Sequence, residues 1–148
     1  MIYKPQNLEE TQKIAADFIA GLASLPDRAC VVGLYGNLGA GKTSFAQAAA
    51  KKLGVKDLVT SPTFVIEKIY DLQDQAFTHL IHIDAYRLEK SSELEHLGWK
   101  EIIADKNNLI LIEWPDNVAD IMPLHVKVSL KTLDSGEARE IEIEHLKE

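Results

Sequence analysis

Residues Gly36-Asn37-Leu38-Gly39-Ala40-Gly41-Lys42-Thr43 follow the spacing G-x-x-x-x-G-K-[ST], which is the pattern of a loop that cradles phosphate. Glycines at these positions let successive backbone N–H groups turn inward around an anion, and a helix starting where the loop ends adds the positive end of its dipole. In such a loop Lys42 neutralises the β and γ oxygens of a nucleoside triphosphate, and the Thr43 hydroxyl ligates Mg2+. A glycine turn that merely joins a strand to a helix would have no use for Lys42-Thr43.

Chemistry on a bound triphosphate also needs a carboxylate at the end of a neighbouring strand, to hold Mg2+ or its water. Two residues qualify: Glu113, after the apolar run Leu109 to Ile112, and Asp84, after Leu80 to Ile83. Any surface strand can end in an acid, but beside this loop one carboxylate suits the metal and the other suits orienting or deprotonating the attacking water. Trp114 follows Glu113 at the carboxyl end of its strand, where open α/β sheets bind ligands, so it is placed near the nucleotide. Trp99 reads as core. His79 and His82 are three apart on a strand and point to opposite faces, which favours separate packing or hydrogen bonding over a shared metal.

The base is partly readable by absence. A guanine-specific site would carry Asn-Lys-x-Asp after a late strand, whereas this chain has Lys106-Asn107-Asn108 with no aspartate at that spacing; ATP is the expected nucleotide. Arg28, Arg87 and Arg139 are its only arginines. Only Arg87 stands near a catalytic motif, and the chain looks short of the arginine-bearing lid of small-molecule kinases.

These residues need elements to position them. Asn7 reads as an N-cap with glutamate at the third helical position, followed by apolar residues at helical spacing to Leu25, which predicts one helix over Leu8 to Leu25. Ala29 to Tyr35 is a nearly continuous apolar run suited to a strand covered on both faces, and Thr43 to Leu53 reads as a helix ended by Gly54. The loop therefore lies between strand and helix, its proper context. Thr60-Ser61-Pro62-Thr63 reads as an ordered polar loop, and Phe64 to Tyr70 with Phe77 to Ile83 as a hairpin. Ser92 to Leu97 and Trp99 to Ile103 are predicted short helices joined near Gly98, before a buried strand at Leu109 to Ile112. Val126 to Leu133 and Ala138 to Leu146 form a final hairpin, in which Ile141 and Ile143 alternate with Glu140, Glu142 and Glu144 on a solvated face.

With 148 residues and 46% hydrophobic content, the chain fits one domain, residues 1–148, large enough for a core without disulfides or structural metal. Its single cysteine, Cys30, reads as a small buried hydrophobe in a reducing cytoplasm. No apolar run is long enough for a membrane span and no signal peptide is evident, so a cytoplasmic protein with no membrane partner is expected. Sixteen Lys and Arg against 23 Asp and Glu give a net charge of -7, which disfavours autonomous binding to DNA or RNA.

Taken in order, Gly36 to Thr43, Ser61-Pro62-Thr63-Phe64, His82-Ile83-Asp84-Ala85-Tyr86-Arg87-Leu88, Glu93-Leu94-Glu95 with Gly98, and Glu113-Trp114-Pro115 resemble the TsaE family over essentially the whole chain. That is the bacterial ATPase component of tRNA threonylcarbamoyladenosine biosynthesis. Asn37 departs from the aspartate expected at its position, with a side chain directed out of the loop. The resemblance implies a single-domain α/β P-loop NTPase fold, its central, mostly parallel mixed sheet covered by helices on both faces and followed by the C-terminal hairpin. It implies Mg2+ and ATP as ligands, with ATP bound by Gly39 to Ser44, the metal on Thr43 and Glu113, and Asp84 near the γ-phosphate. Thr60 to Phe64, including Thr63, would sense that phosphate as a switch, and Thr11 matches a family position near the nucleotide. It further implies a weak ATPase that binds and resets the TsaB–TsaD transferase complex, meeting tRNA only through those partners. A stand-alone small-molecule kinase and a nucleotide-dependent binding switch are the alternatives, separated by a phosphorylated product and by tolerance of losing Glu113 or Asp84.

Overall fold

The computed structural model describes residues 1–56, 66–134 and 136–145. In chain order these form β1 (Ile2–Tyr3), α1 (Leu8–Ala20), β2 (Cys30–Tyr35), α2 (Lys42–Lys52), β3 (Glu67–Asp71), β4 (His79–Asp84), α3 (Ser91–Glu95), α4 (Trp99–Ala104), β5 (Asn108–Glu113), β6 (Val126–Thr132) and β7 (Arg139–Glu144). A 3-10 helix, Pro115–Ile121, lies between β5 and β6. The strands make one sheet in the order β1-β7-β6-β2-β5-β4-β3. Its four inner strands β6, β2, β5 and β4 are parallel, and the outer pairs are antiparallel. This is the mixed, centrally parallel α/β architecture expected. No described helix is long and apolar enough to cross a membrane.

Parallel strands covered on both faces read as unbroken apolar runs. Accordingly Cys30 to Leu34 and all of β5 are buried. Alternate residues serve two cores. Cys30, Val32, Leu34, Leu109 and Leu111 pack under α1 and α2 with Phe45, Ala46 and Ala49. Val31, Ile81, Ile83, Ile110 and Ile112 face Leu94, Trp99 and Val118 on the other side. Burial also pushes the Cys30 thiol up to about 11, with Arg28 opposing the shift.

Several boundaries differ from the sequence reading. Helix α1 is capped as expected by Asn7, whose side chain accepts from the Glu10 N–H at 2.9 Å, but it ends at Ala20 rather than Leu25. Gly21 is its C-cap, its N–H donating to the carbonyls of Asp17 and Phe18. Glycine is a poor helix residue, and the apolar spacing past it reflects packing of Leu22 against the core, not a continuing helix. Strand β4 starts at His79 and runs through Asp84, and β3 starts at Glu67; Phe64 and Val65 lie outside the described residues. In the C-terminal hairpin Ile141 and Ile143 are buried as the alternation requires. The sequence pattern marks neither β1, which pairs with β7, nor the 3-10 helix after Trp114.

Trp99 is 1% exposed, and its indole N–H donates to the Ile121 carbonyl at 3.1 Å, joining α4 to the end of the 3-10 helix. Trp99→Ala is expected to lower unfolding stability by about 3–5 kcal/mol, and Trp99→Phe by less, measured by urea denaturation. At pH 8 a thiol with the elevated value of Cys30 is ionised about once in a thousand molecules. A disulfide reagent such as DTNB should therefore label it only once denaturant unfolds the chain; rapid native labelling would contradict its burial.

Candidate nucleotide site

Strand β2 ends at Tyr35 and delivers the chain into the glycine loop, which rises into α2 at Lys42. Gly36 has φ 147°, and a Cβ there would lie 2.5 Å from the Leu130 carbonyl oxygen of β6, so no side chain fits. Gly39 and Gly41 also have positive φ, 79° and 102°. They turn the loop through conformations that L side chains seldom adopt. At Gly39 nothing lies within 4 Å of the place a Cβ would take, which leaves the backbone open to a close ligand.

Lys42 is 5% exposed. Its ammonium donates to the Gly36 carbonyl and, at 3.1 Å, to that of Asn37, and sits 3.9 Å from the centroid of the Trp114 ring. Burial lowers its pKa from the ordinary lysine value, opposed by the carboxylates of Glu113, Asp84 and Asp116. The lysine is thus held over the loop by weak backbone acceptors and an aromatic face, contacts that phosphate oxygens could replace.

Glu113 ends β5 at 3% exposure. The Thr43 hydroxyl donates to its Oε1 at 3.2 Å, and the other oxygen, Oε2, is 2.7 Å from His82 Nε2. A carboxylate only accepts, so His82 Nε2 carries the hydrogen. Asp84 is the residue of β4 in register with Glu113, and Ala85 N–H donates to the Glu113 carbonyl at 3.0 Å. Asp84 Oδ1 accepts from the Tyr86 N–H at 2.9 Å, and Asn117 holds the same turn through the carbonyls of Ala85 and Tyr86. Trp114 takes left-handed backbone angles, φ 58° and ψ 48°, a strained conformation for a bulky residue. This turn brings its ring to Lys42 and to Tyr86, 5.0 Å away.

A cleft of 470 Å3 opens above these groups. Of the residues named from sequence, Leu38, Gly39, Ala40, Gly41, Lys42, Thr43, Ser44, Asp84, Glu113 and Trp114 line it. Gly36 lies beneath, as the acceptor of Lys42. Thr11 is buried in α1 and is not among the lining residues, and Thr63 lies outside the described residues. His79 and His82 do not share a site: His79 meets the Asp71 carboxylate at 3.3 Å, whereas His82 meets Glu113.

Two further lining residues have no role at the site in the sequence reading: Tyr86, which stands only within the motif that carries the family resemblance, and Arg139. Tyr86 flanks Trp114, and Arg139 reaches in from β7, its Nε donating to the Ala40 carbonyl at 3.0 Å. Arg87 is therefore not the only arginine at the site; both Arg87 and Arg139 line the cleft. Arg139 is about a hundred residues from the loop in sequence, and no local pattern marks it.

The oxygens of Thr43 and Glu113 are hard donors suited to Mg2+, which ordinarily takes one or two protein oxygens and completes its shell with phosphate and water. No cluster of three or more His, Cys, Asp or Glu that could hold a metal occurs among the described residues. The donor set therefore fits a nucleotide-associated Mg2+ and not a dedicated protein cage.

The sequence model of the family described as "Threonylcarbamoyl adenosine biosynthesis protein TsaE" matches residues 5–141. The chain belongs to the TsaE family. It is 38% identical over 110 residues to the tRNA threonylcarbamoyladenosine biosynthesis protein TsaE of Borreliella burgdorferi, covering 74% of this chain and 77% of that protein. The TsaE protein of Bacillus subtilis is 37% identical over 121 residues, 82% of this chain and 70% of its own. The crystal structure of Bacillus subtilis YdiB superposes with a TM-score of 0.74 at 30% identity, over 95% of this chain and 82% of that one. TsaE membership agrees with the resemblance carried by the loop, the β4 end and Glu113-Trp114-Pro115.

The loop geometry separates two glycines by cause. Gly36→Ala should cost the backbone penalty of its positive φ, about 1–2 kcal/mol, and a further amount of about 1–3 kcal/mol because its methyl meets a backbone oxygen that cannot move aside. Gly39→Ala should cost only the backbone penalty of about 1–2 kcal/mol. Urea denaturation of both variants checks the order.

Proposed function

We propose that the chain is a Mg2+-dependent ATP-binding protein and slow ATPase that supports tRNA threonylcarbamoyladenosine biosynthesis by binding and resetting a TsaB–TsaD transferase complex. Group transfer itself would belong to that complex. The observation that carries the reading is the convergence of the Lys42 ammonium, the Thr43 hydroxyl and the Glu113 carboxylate at one glycine loop, in a member of a family whose role is in this modification.

The chain's residues divide the work. Lys42 exchanges the Gly36 and Asn37 carbonyls for phosphate oxygens, and the backbone N–H groups of the loop and the start of α2 close around the β-phosphate. Thr43 and Glu113 would hold Mg2+, which would supply charge neutralisation at the phosphate. Asp84, on the neighbouring strand end, orients the attacking water. Arg139 donates from Nε to the Ala40 carbonyl of the glycine loop and from Nη1 to the Gly136 and Ala138 carbonyls of its own hairpin, so it braces the loop instead of reaching toward the transferred phosphate. An arginine finger is worth about 10³–10⁵ in rate; with Arg139 committed to the loop, Arg87 is the one arginine of the cleft left to serve as such, and hydrolysis by the chain alone is expected to be slow. The net charge of -7 fits a protein that reaches tRNA through its partners.

Phosphate release from Mg2+-ATP, measured with the purified chain and then with TsaB and TsaD added, tests this. The expected result is slow release that rises with the partners and is lost in Lys42→Ala and Glu113→Ala. Partners that neither bind nor change the rate would overturn the assigned role, and a stoichiometric phosphorylated small molecule would point to a kinase instead.

A further inference from the structure

His82 is buried at the centre of the sheet, 1% exposed, where its strand neighbours Leu80, Ile81 and Ile83 are all apolar. Its Nδ1 is buried with no hydrogen-bond partner among the described residues. A position asked only to fill space would take an aliphatic side chain, which brings no buried polar atom to satisfy. Among the described residues the imidazole makes one hydrogen bond, Nε2 to Glu113 Oε2 at 2.7 Å. Glu113 Oε1 is left nearer the Thr43 hydroxyl, at 3.2 Å against 3.4 Å for Oε2. The Thr43 hydroxyl thus reaches both carboxylate oxygens, but only Oε2 also meets the histidine inside the sheet, which leaves Oε1 the less engaged of the two on the side of the helix start that lines the cleft.

We propose that His82 is the positioning residue of the metal site: its Nε2–H engages Oε2 of Glu113 and so presents Oε1 to Mg2+ beside Thr43. A carboxylate free to rotate about its last torsion would face the metal with either oxygen or neither, because such terminal torsions are broad. A fixed donor behind it removes that freedom, as partners behind metal ligands generally do. Because β4 carries both His82 and Asp84, the same strand sets the carboxylate on the metal and the carboxylate near the water. This rests on the reading of the cleft as a Mg2+-nucleotide site.

The test is calorimetric and needs no turnover. Wild type, His82→Leu and His82→Gln are each saturated with a non-hydrolysable ATP analogue in the absence of divalent ions, and Mg2+ is then titrated into the complex. The expected result is metal-free analogue affinity within about threefold of wild type in both variants, with Mg2+ affinity weakened about 10–100-fold in His82→Leu. His82→Gln, whose amide can donate from the place of Nε2, should recover most of that loss. Unchanged Mg2+ affinity in His82→Leu overturns the proposal, as does an equal loss of metal-free affinity, which would make His82 a support of the loop as a whole. If thermal melting shows both variants unfolded, His82 is a folding residue and the proposal fails. Wild type that binds no analogue overturns the nucleotide reading itself, a result distinct from the others.

Discussion

A carboxylate 3% exposed at the end of a central strand is the constraint around which this molecule is arranged. Burying such a group is costly unless donors meet it. Glu113 is met from three sides: by the hydroxyl that opens α2, by a histidine inside β4, and by the field of the Lys42 ammonium. Each of the two hydrogen-bonding neighbours comes from a different element. The parallel alignment of β2, β5 and β4 is what makes them neighbours at all, since it ends the three strands at the same edge of the sheet.

The glycine loop depends on the same edge. It leaves β2 there and is packed from behind by β6, whose Leu130 carbonyl excludes any side chain at Gly36. Arg139 on β7 ties down Ala40 and reaches the carbonyls of Gly136 and Ala138. The C-terminal hairpin is thus part of the wall of the cleft as well as an extension of the sheet. Across the cleft, the left-handed turn at Trp114 spends local strain to place an aromatic ring against Lys42. A buried cation gains from such a face where water is scarce.

Much of the site could be read from residue order because its parts are local. The loop, the two strand-end acids and Trp114 are each marked by their immediate neighbours, and the helix-strand alternation was clear wherever apolar spacing was clean. Errors fell where tertiary contacts override spacing: the apolar rhythm past Gly21 continued through residues that pack without being helical, and the short β1 has too few residues to carry a pattern. The 3-10 helix after Trp114 starts at a proline, a signal of turn or helix start alike.

By itself, the sequence determined a strand, a glycine loop and a helix in succession, the lysine and threonine at the loop's end, and two candidate carboxylates, because backbone conformations that only glycine tolerates and runs of buried strand leave local traces. Spacing alone left open which carboxylate would stand against Thr43, a choice that only the family resemblance made for Glu113, and nothing in the sequence said that His82 would turn inward to Glu113 while His79 met Asp71, or that Arg139 would cross to the loop. The His82 and Arg139 contacts join residues 31 and 99 positions apart, and they exist only because the strand order brings β4, β5 and β7 to the sides of one loop. Long-range neighbours are chosen by the packing of whole elements, and that choice is made in three dimensions.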